Sequence, residues 1–439
     1  MTAPRPTPPL GARPPVDPDA VPSSRPGLPV WPLYLMFGLA LVWWLLGGLY
    51  LLWAPLAVVL AAVLLVHGRV RLPSGSVLWI LLVALMALSF LRLGGNGLVG
   101  YVLRFGFVVA AFIVYLYVYN AARSGVSWQA LFHPFCLFWL TVVALGWLAV
   151  IAPKLSLTTP VEMLLPRSIS GERMVQALTH IKATEHNPLS RNPYYRTAAP
   201  YPYTNNWGTG FAVMVPCVLA YITSFRRGLM RTVLIVSLPL ALVPAFLTLN
   251  RGMFVGVGIG LCYVGVRALL RGDVRIIASI GAVAVVAVLV TFFVPVGDLI
   301  SNRVENTDST TDRLDIYRRT LAAVAESPLL GYGAPQFVDT IKVAEPLGTQ
   351  GQIWLIMYSH GVPAFLALVL FFVVVARRLA TAVSPGGVWL SAVPVVALGV
   401  TPFYGYTDIN LSVMFFAIGL AMAAVDGPVN RPTLWPTRT

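Results

Sequence analysis

Three arginines stand where an arginine needs a physical reason. Arg251 sits in Leu249–Asn250–Arg251–Gly252, a very short break between two apolar runs. Its planar fork suits a bidentate grip on phosphate, and contact with lipid headgroups is the competing use. Arg104 falls inside an apolar run near one end. A charge there is costly, so it marks either function or a side chain that snorkels to the interface. Arg313 lies in a segment, 312–325, whose pattern predicts a helix. Ser309 and Asp312 form its start signal, and Ser327–Pro328, Gly331 and Gly333 end it. Leu314, Tyr317, Leu321 and Val324 recur at helical spacing, which puts Arg313 at the edge of an apolar stripe, either as a snorkelling anchor or as an anion-binding group. Arg319 falls on the opposite face, four residues after Asp315, and reads as a surface ion pair.

A second group is aromatic. Tyr194, Tyr195, Tyr201, Tyr203 and Trp207 lie within 14 residues and suit either sugar rings or an interfacial belt. His180 and His186 lie nearby, but the spacing offers no carboxylate to make either a base. Asp308, Asp312 and Asp315 lack metal-ligand spacing, so no metal site is expected. Nucleotide, zinc and nucleophile-elbow motifs are absent from the sequence.

The elements that must position these residues are apolar. The chain has 439 residues, 58% of them hydrophobic and only 10% charged, with a mean hydropathy of +0.79. A soluble domain carries about 25% charged residues. The pattern predicts an all-α polytopic membrane bundle of about 12 transmembrane helices, near 31–47, 49–66, 75–92, 99–118, 130–151, 208–225, 232–249, 253–269, 276–295, 353–376, 387–403 and 408–425. The first two meet at Gly47–Gly48 and read as a tight hairpin. Apart from Arg104, these spans read as nearly free of ionisable groups.

The net charge of +14 points to anionic lipid rather than to nucleic acid. With the N-terminus inside, the cytoplasmic segments hold 16 arginines against four acids, the asymmetry expected of a chain in the inner membrane with both termini cytoplasmic. Two long connections, about 152–207 and 296–352, then lie outside. Loops of that length in a compact membrane protein are usually functional. Residues 1–29 include ten prolines and read as a disordered cytoplasmic tail, 30–425 as the membrane domain, and 426–439 as a second cytoplasmic tail. Cys136, Cys217 and Cys262 fall in apolar spans and read as packing residues.

The order of four stretches resembles the O-antigen ligase/polymerase superfamily of membrane glycosyltransferases. They are Tyr201–Gly208 with the run Phe211–Leu219, Leu247–Gly256 around the Arg251–Gly252 turn, Thr311–Tyr317 with Ser327–Gly333, and Gln352–Phe371 with Gly361–Ala364. The family takes a glycan from an undecaprenyl-pyrophosphate carrier and joins it to an acceptor hydroxyl on the external face. The resemblance implies that Arg251 and Arg313 supply positive charge to the departing pyrophosphate, with neither metal nor other cofactor. It places Gln350 where the family carries a histidine, about eleven residues before Gly361. Glutamine can orient a hydroxyl but cannot take its proton. His360, next to that glycine, does not match the pattern.

Catalytic expectations therefore fall on Arg251, Arg313 and Gln350, and substrate-binding expectations on Arg104, Asn206, Asn250, Arg318, Tyr203 and Trp207. The implied partners are the undecaprenyl-pyrophosphate-linked donor, an acceptor glycan or glycolipid, the bilayer and polysaccharide assembly proteins. Polymerisation is favoured over ligation to a glycolipid. The rival readings are a non-catalytic relative that binds lipid-linked glycans and a lipid-linked glycan flippase.

Overall fold

The computed structural model describes residues 27–68, 70–94, 97–186, 195–291, 309–336 and 346–427, without the side chains of 286–291 and 309–313. Most of the proline-rich tail, the stretch after 427, Tyr194, Asp308 and two parts of the second long loop, 296–308 and 337–345, lie outside the described residues.

Helices dominate, as long uncharged runs require when backbone groups must be satisfied within the segment. The main ones are α1 (Trp53–Val66), α2 (Ser76–Ser89), α3 (Leu98–Arg123), α4 (Trp128–Ile151), α5 (Thr204–Ser224), α6 (Leu229–Leu247), α7 (Arg251–Arg271), α8 (Val274–Thr291), α9 (Ser309–Glu326), α10 (Gln352–Leu379), α11 (Pro385–Leu390), α12 (Ala392–Val400) and α13 (Asp408–Asp426). Seven of them, α3 to α7, α10 and α13, are long and apolar enough to cross a membrane. The chain is therefore a multi-pass membrane protein; among the described residues seven such helices are found, and the expected count of about twelve is not confirmed.

Several of the other expected spans are short or interrupted among the described residues. The first expected span is broken into Trp31–Leu33, a π-helical turn at Tyr34–Gly38 and Ala40–Leu46. It stops at Gly47, whose φ of +78 suits glycine and whose missing side chain makes room for Thr159: a Cβ there would lie 2.0 Å from Oγ1. Helices α1 and α2 have 14 residues each, and the 387–403 run divides into α11 and α12 at Ser391.

Helix α13 is the hub. It runs beside α3, where Gly419 brings the backbones together; a Cβ there would lie 3.0 Å from the Tyr115 carbonyl oxygen. Phe415 stacks on Phe371 of α10 at 5.1 Å and meets Trp79 of α2 at 4.5 Å. Ser412 accepts the Trp53 indole N–H at 2.8 Å, tying α1 to the same helix. Close aromatic packing and small residues are how helices hold together when lipid is as apolar as their side chains.

The first long connection departs from a purely helical chain. It carries three short helices and two antiparallel ribbons, β1 (Ser156–Leu157) with β2 (Ile181–Lys182) and β3 (Thr184–Glu185) with β4 (Arg196–Thr197). It folds over the end of the bundle where α3, α5, α7, α10 and α13 begin, called here the loop-bearing end. The described part of the second connection docks at the same end. Tyr317 of α9 stacks on Trp354 of α10 at 4.5 Å, and Gly333 approaches Leu93 just before α3.

Candidate functional site

At the loop-bearing end the Arg251 turn is tightly specified. Thr248 Oγ accepts the Asn250 N–H, and its carbonyl accepts Arg196 Nε at 2.8 Å from β4. Leu249 adopts φ +50, the one non-glycine residue with positive φ among those described. Such a conformation costs about 1–2 kcal/mol and persists only where its surroundings enforce it. Asn250 then caps α7: its Oδ1 accepts the Met253 N–H at 3.1 Å, while Nδ2 reaches the Asn205 carbonyl at 3.5 Å. The Gly252 N–H donates to Tyr404 Oη at 3.0 Å. Two N–H groups of the first turn are thus already used, and the Arg251 side chain beside them is exposed.

The 401–407 segment joins this turn to the start of α10. Gln352 donates its N–H to the Tyr404 carbonyl at 2.9 Å, and its Oε1 accepts the Tyr406 N–H at 2.8 Å. Gly351 packs so closely on Pro402 that a Cβ would lie 2.4 Å from its carbonyl oxygen. Gln350 is buried at this junction. Asn206 of α5 completes the weave, donating to the Gly405 carbonyl at 3.1 Å and accepting from Asn410 Nδ2 through its own carbonyl at 3.0 Å.

Next to the weave, the first long connection roofs a cavity of about 370 Å³, within the ~300–1,000 Å³ typical of small-molecule sites. Tyr50 and Trp44 line it from the bundle, and Gln176, His180 and Lys182 from the loop. Tyr203, 46% exposed, stands at its edge just before α5. Burial, and secondarily the Glu185 carboxylate, push the Tyr203 hydroxyl pKa up against the opposing pull of Arg104, so it is a neutral hydrogen-bonding group. Glu185 accepts the Thr204 N–H at 2.8 Å, an anion at the positive end of α5. Arg104 is half-buried and within electrostatic reach of both Tyr203 and His360.

Several expectations need correction. Trp207 is fully buried and stacks on Phe211 at 5.4 Å, so it belongs to the core rather than to a sugar-facing surface. Arg319 does pair with Asp315 at 2.7 Å on an exposed face, and Arg318 is exposed beside it. The buried face of α9 differs from the expected stripe: Ile316, Thr320 and Val324 turn inward, whereas Leu314 and Leu321 are about half exposed. The Arg313 side chain lies outside the described residues.

His180 was read without a carboxylate, yet Glu162 Oε2 lies 3.0 Å from its Nδ1. The spans also hold more ionisable groups than Arg104. Arg267 is locked to Ser391 and to the Ala380 and Ala382 carbonyls at the end of α7 opposite Arg251. Asp408 is completely buried at the start of α13; its Oδ1 accepts the Ile409 N–H, and its Oδ2 has no partner among the described residues. Sequence reading missed both Glu162 and Asp408 as site candidates.

Residues 234–360 match the family model described as O-antigen ligase. The matched stretch contains Arg251, Arg313 and Gln350, whereas Arg104, Asn206, Tyr203 and the cavity precede it. No curated protein matches the chain. That match supports glycan transfer of the O-antigen ligase/polymerase type in general, on lipid-linked glycan and acceptor substrates at a membrane.

Proposed function

We propose that this protein transfers a glycan from an undecaprenyl-pyrophosphate carrier to an acceptor glycan hydroxyl at the outer face of the inner membrane, building a surface polysaccharide. The observation that carries the reading is Arg251: an exposed side chain on a strained, hydrogen-bonded turn, inside the stretch that matches the O-antigen ligase family. Breaking the glycosidic bond leaves two negative phosphates, and a preorganised cation lowers that barrier most when it needs no rearrangement. Arg313 is proposed as its partner, and Arg104, Arg318 and Tyr203 as donor or acceptor contacts. Asn250 and Asn206 act on substrate through the turn and the 401–407 segment that they hold in place. In this orientation both termini are cytoplasmic, and the loop-bearing end faces outward.

The test is chain growth by purified protein in lipid nanodiscs supplied with an undecaprenyl-pyrophosphate oligosaccharide. Wild type should lengthen the glycan without added metal, and Arg251→Ala should not. Equal ladders from both would remove the assignment.

A binding-only relative is the second reading, favoured by Gln350 at the position of the family histidine. A glutamine amide cannot accept the hydroxyl proton at neutral pH. Tight glycan binding with no turnover would select that reading.

A further inference from the structure

Acceptor activation needs a base, and the histidines differ in what holds them. His360 is buried, with Nδ1 2.6 Å from Ser89 Oγ. Ser89 in turn donates to the Met86 carbonyl, so this imidazole is tied into the bundle. His186 is exposed, with its ring against Tyr195. His180 alone among the described residues is gripped by a carboxylate and also lines a cavity.

The grip fixes the tautomer. Glu162 approaches Nδ1 with both oxygens, at 3.0 and 3.2 Å, and a carboxylate only accepts. Nδ1 therefore carries the proton, and Nε2 presents a lone pair. Ser156 Oγ lies 2.8 Å from Nε2, so a hydroxyl already approaches that lone pair. The ribbon of β1 with β2 brings these residues together by pairing Ser156 with Lys182. Glu162 is itself fixed, as the third residue of a helix capped by Thr159. Hydroxyl, imidazole and carboxylate in this order are the arrangement by which proteins remove a hydroxyl proton.

The cavity also neighbours the Arg251 turn. Tyr203 at its edge is two residues from Asn205, whose carbonyl accepts Asn250 Nδ2, and Arg196 ties the loop to Thr248. We infer that this cavity holds the acceptor glycan and that His180 is the base that takes its hydroxyl proton, supplying the function that Gln350 cannot. The inference rests on the glycan-transfer reading. The acceptor hydroxyl displaces Ser156 from Nε2. Its oxygen forms the bond to the anomeric carbon as the bond from that carbon to the pyrophosphate oxygen breaks, and the electron pair leaves with the lipid pyrophosphate. The hydroxyl proton passes to Nε2 and from there to water, while Nδ1–H stays on Glu162.

Two measurements test it, and one needs no turnover. Wild type in nanodiscs is treated with diethyl pyrocarbonate, with and without the oligosaccharide repeat released by mild acid from the cells' own lipid-linked pool. The glycan should slow modification of His180 and leave His67, just after α1 and outside the cavity lining, unchanged. In the transfer assay His180→Gln should lower kcat by about 10²–10⁴-fold with little change in acceptor KM, as loss of a general base does. Glu162→Gln should lower kcat less and shift its pH profile, because an amide stabilises the imidazolium less than a carboxylate. Unprotected His180 would overturn the inference, as would a wild-type kcat for His180→Gln when Arg251→Ala is inactive. Neither result would disturb the transfer reading itself.

Discussion

Gly252→Ala places one methyl group next to the residue on which the mechanism turns. A Cβ at Gly252 would lie 1.9 Å from Tyr404 Cε2 and 2.4 Å from its Oη, so the ring must retreat by about 1.5 Å to reach ordinary contact. Tyr404 is 8% exposed, and its Oη accepts the Gly252 N–H at 3.0 Å. Retreat breaks that bond and shifts the 401–407 segment against Gln352. Overpacking costs about 1–3 kcal/mol and an orphaned buried N–H a further ~1–3, so the variant should lose about 2–6 kcal/mol. Thermal unfolding in detergent should show a Tm several degrees lower, and transfer should fall because Arg251 moves with the turn. Tyr404→Phe removes only the hydrogen bond and should cost about 1–2 kcal/mol. The double variant Gly252→Ala/Tyr404→Ala removes the clash and should lose less stability than the two single variants summed. A wild-type Tm for Gly252→Ala would refute the packing argument.

Trp207→Ala should destabilise by about 3–5 kcal/mol, as core aromatics do, whereas Tyr203→Ala should weaken glycan binding with little loss of Tm. The reverse result would return Trp207 to the site. Asn250→Ala removes the α7 cap and should cost about 1 kcal/mol, read as a lower Tm. Arg319→Ala breaks an exposed i,i+4 pair and should shift stability by less than about 0.5 kcal/mol, which denaturation compared with wild type would check.

What the sequence makes legible follows from which signals are local. The break at Asn250–Arg251–Gly252 is visible because it interrupts apolar runs on both sides, and the Asp315–Arg319 pair because helical spacing alone creates it. Helix α9 is found at nearly the right place, but its buried face is not. Apolarity singles out Leu314 and Leu321, whereas tertiary packing buries Thr320 and leaves both leucines half exposed. Where lipid is one of the neighbours, an outward leucine carries little penalty, so hydrophobicity no longer separates inside from outside.

The site residues missed are those created by long-range contact. Glu162 and His180 are 18 residues apart, and only the ribbon and the short capped helix bring them together. Asp408 looks like a loop acid ahead of a span. It is buried because the first long connection and the hairpin before α1 close over the start of α13, bringing Tyr201 and Tyr50 within electrostatic reach. The breaks within two expected spans are hidden for a related reason. Hydropathy registers how apolar a run is, but not that Gly47 turns it or that Ser391 divides it.

The central claim is that a fixed guanidinium at the loop-bearing end takes up the charge of a departing diphosphate. Equilibrium binding of undecaprenyl pyrophosphate, the product that carries that charge, measures this without any turnover. Wild type should bind it well above undecaprenyl monophosphate, and Arg251→Ala should lose at least about tenfold, roughly 1.4 kcal/mol, of affinity for the diphosphate. An unchanged affinity in a folded Arg251→Ala protein would contradict the account.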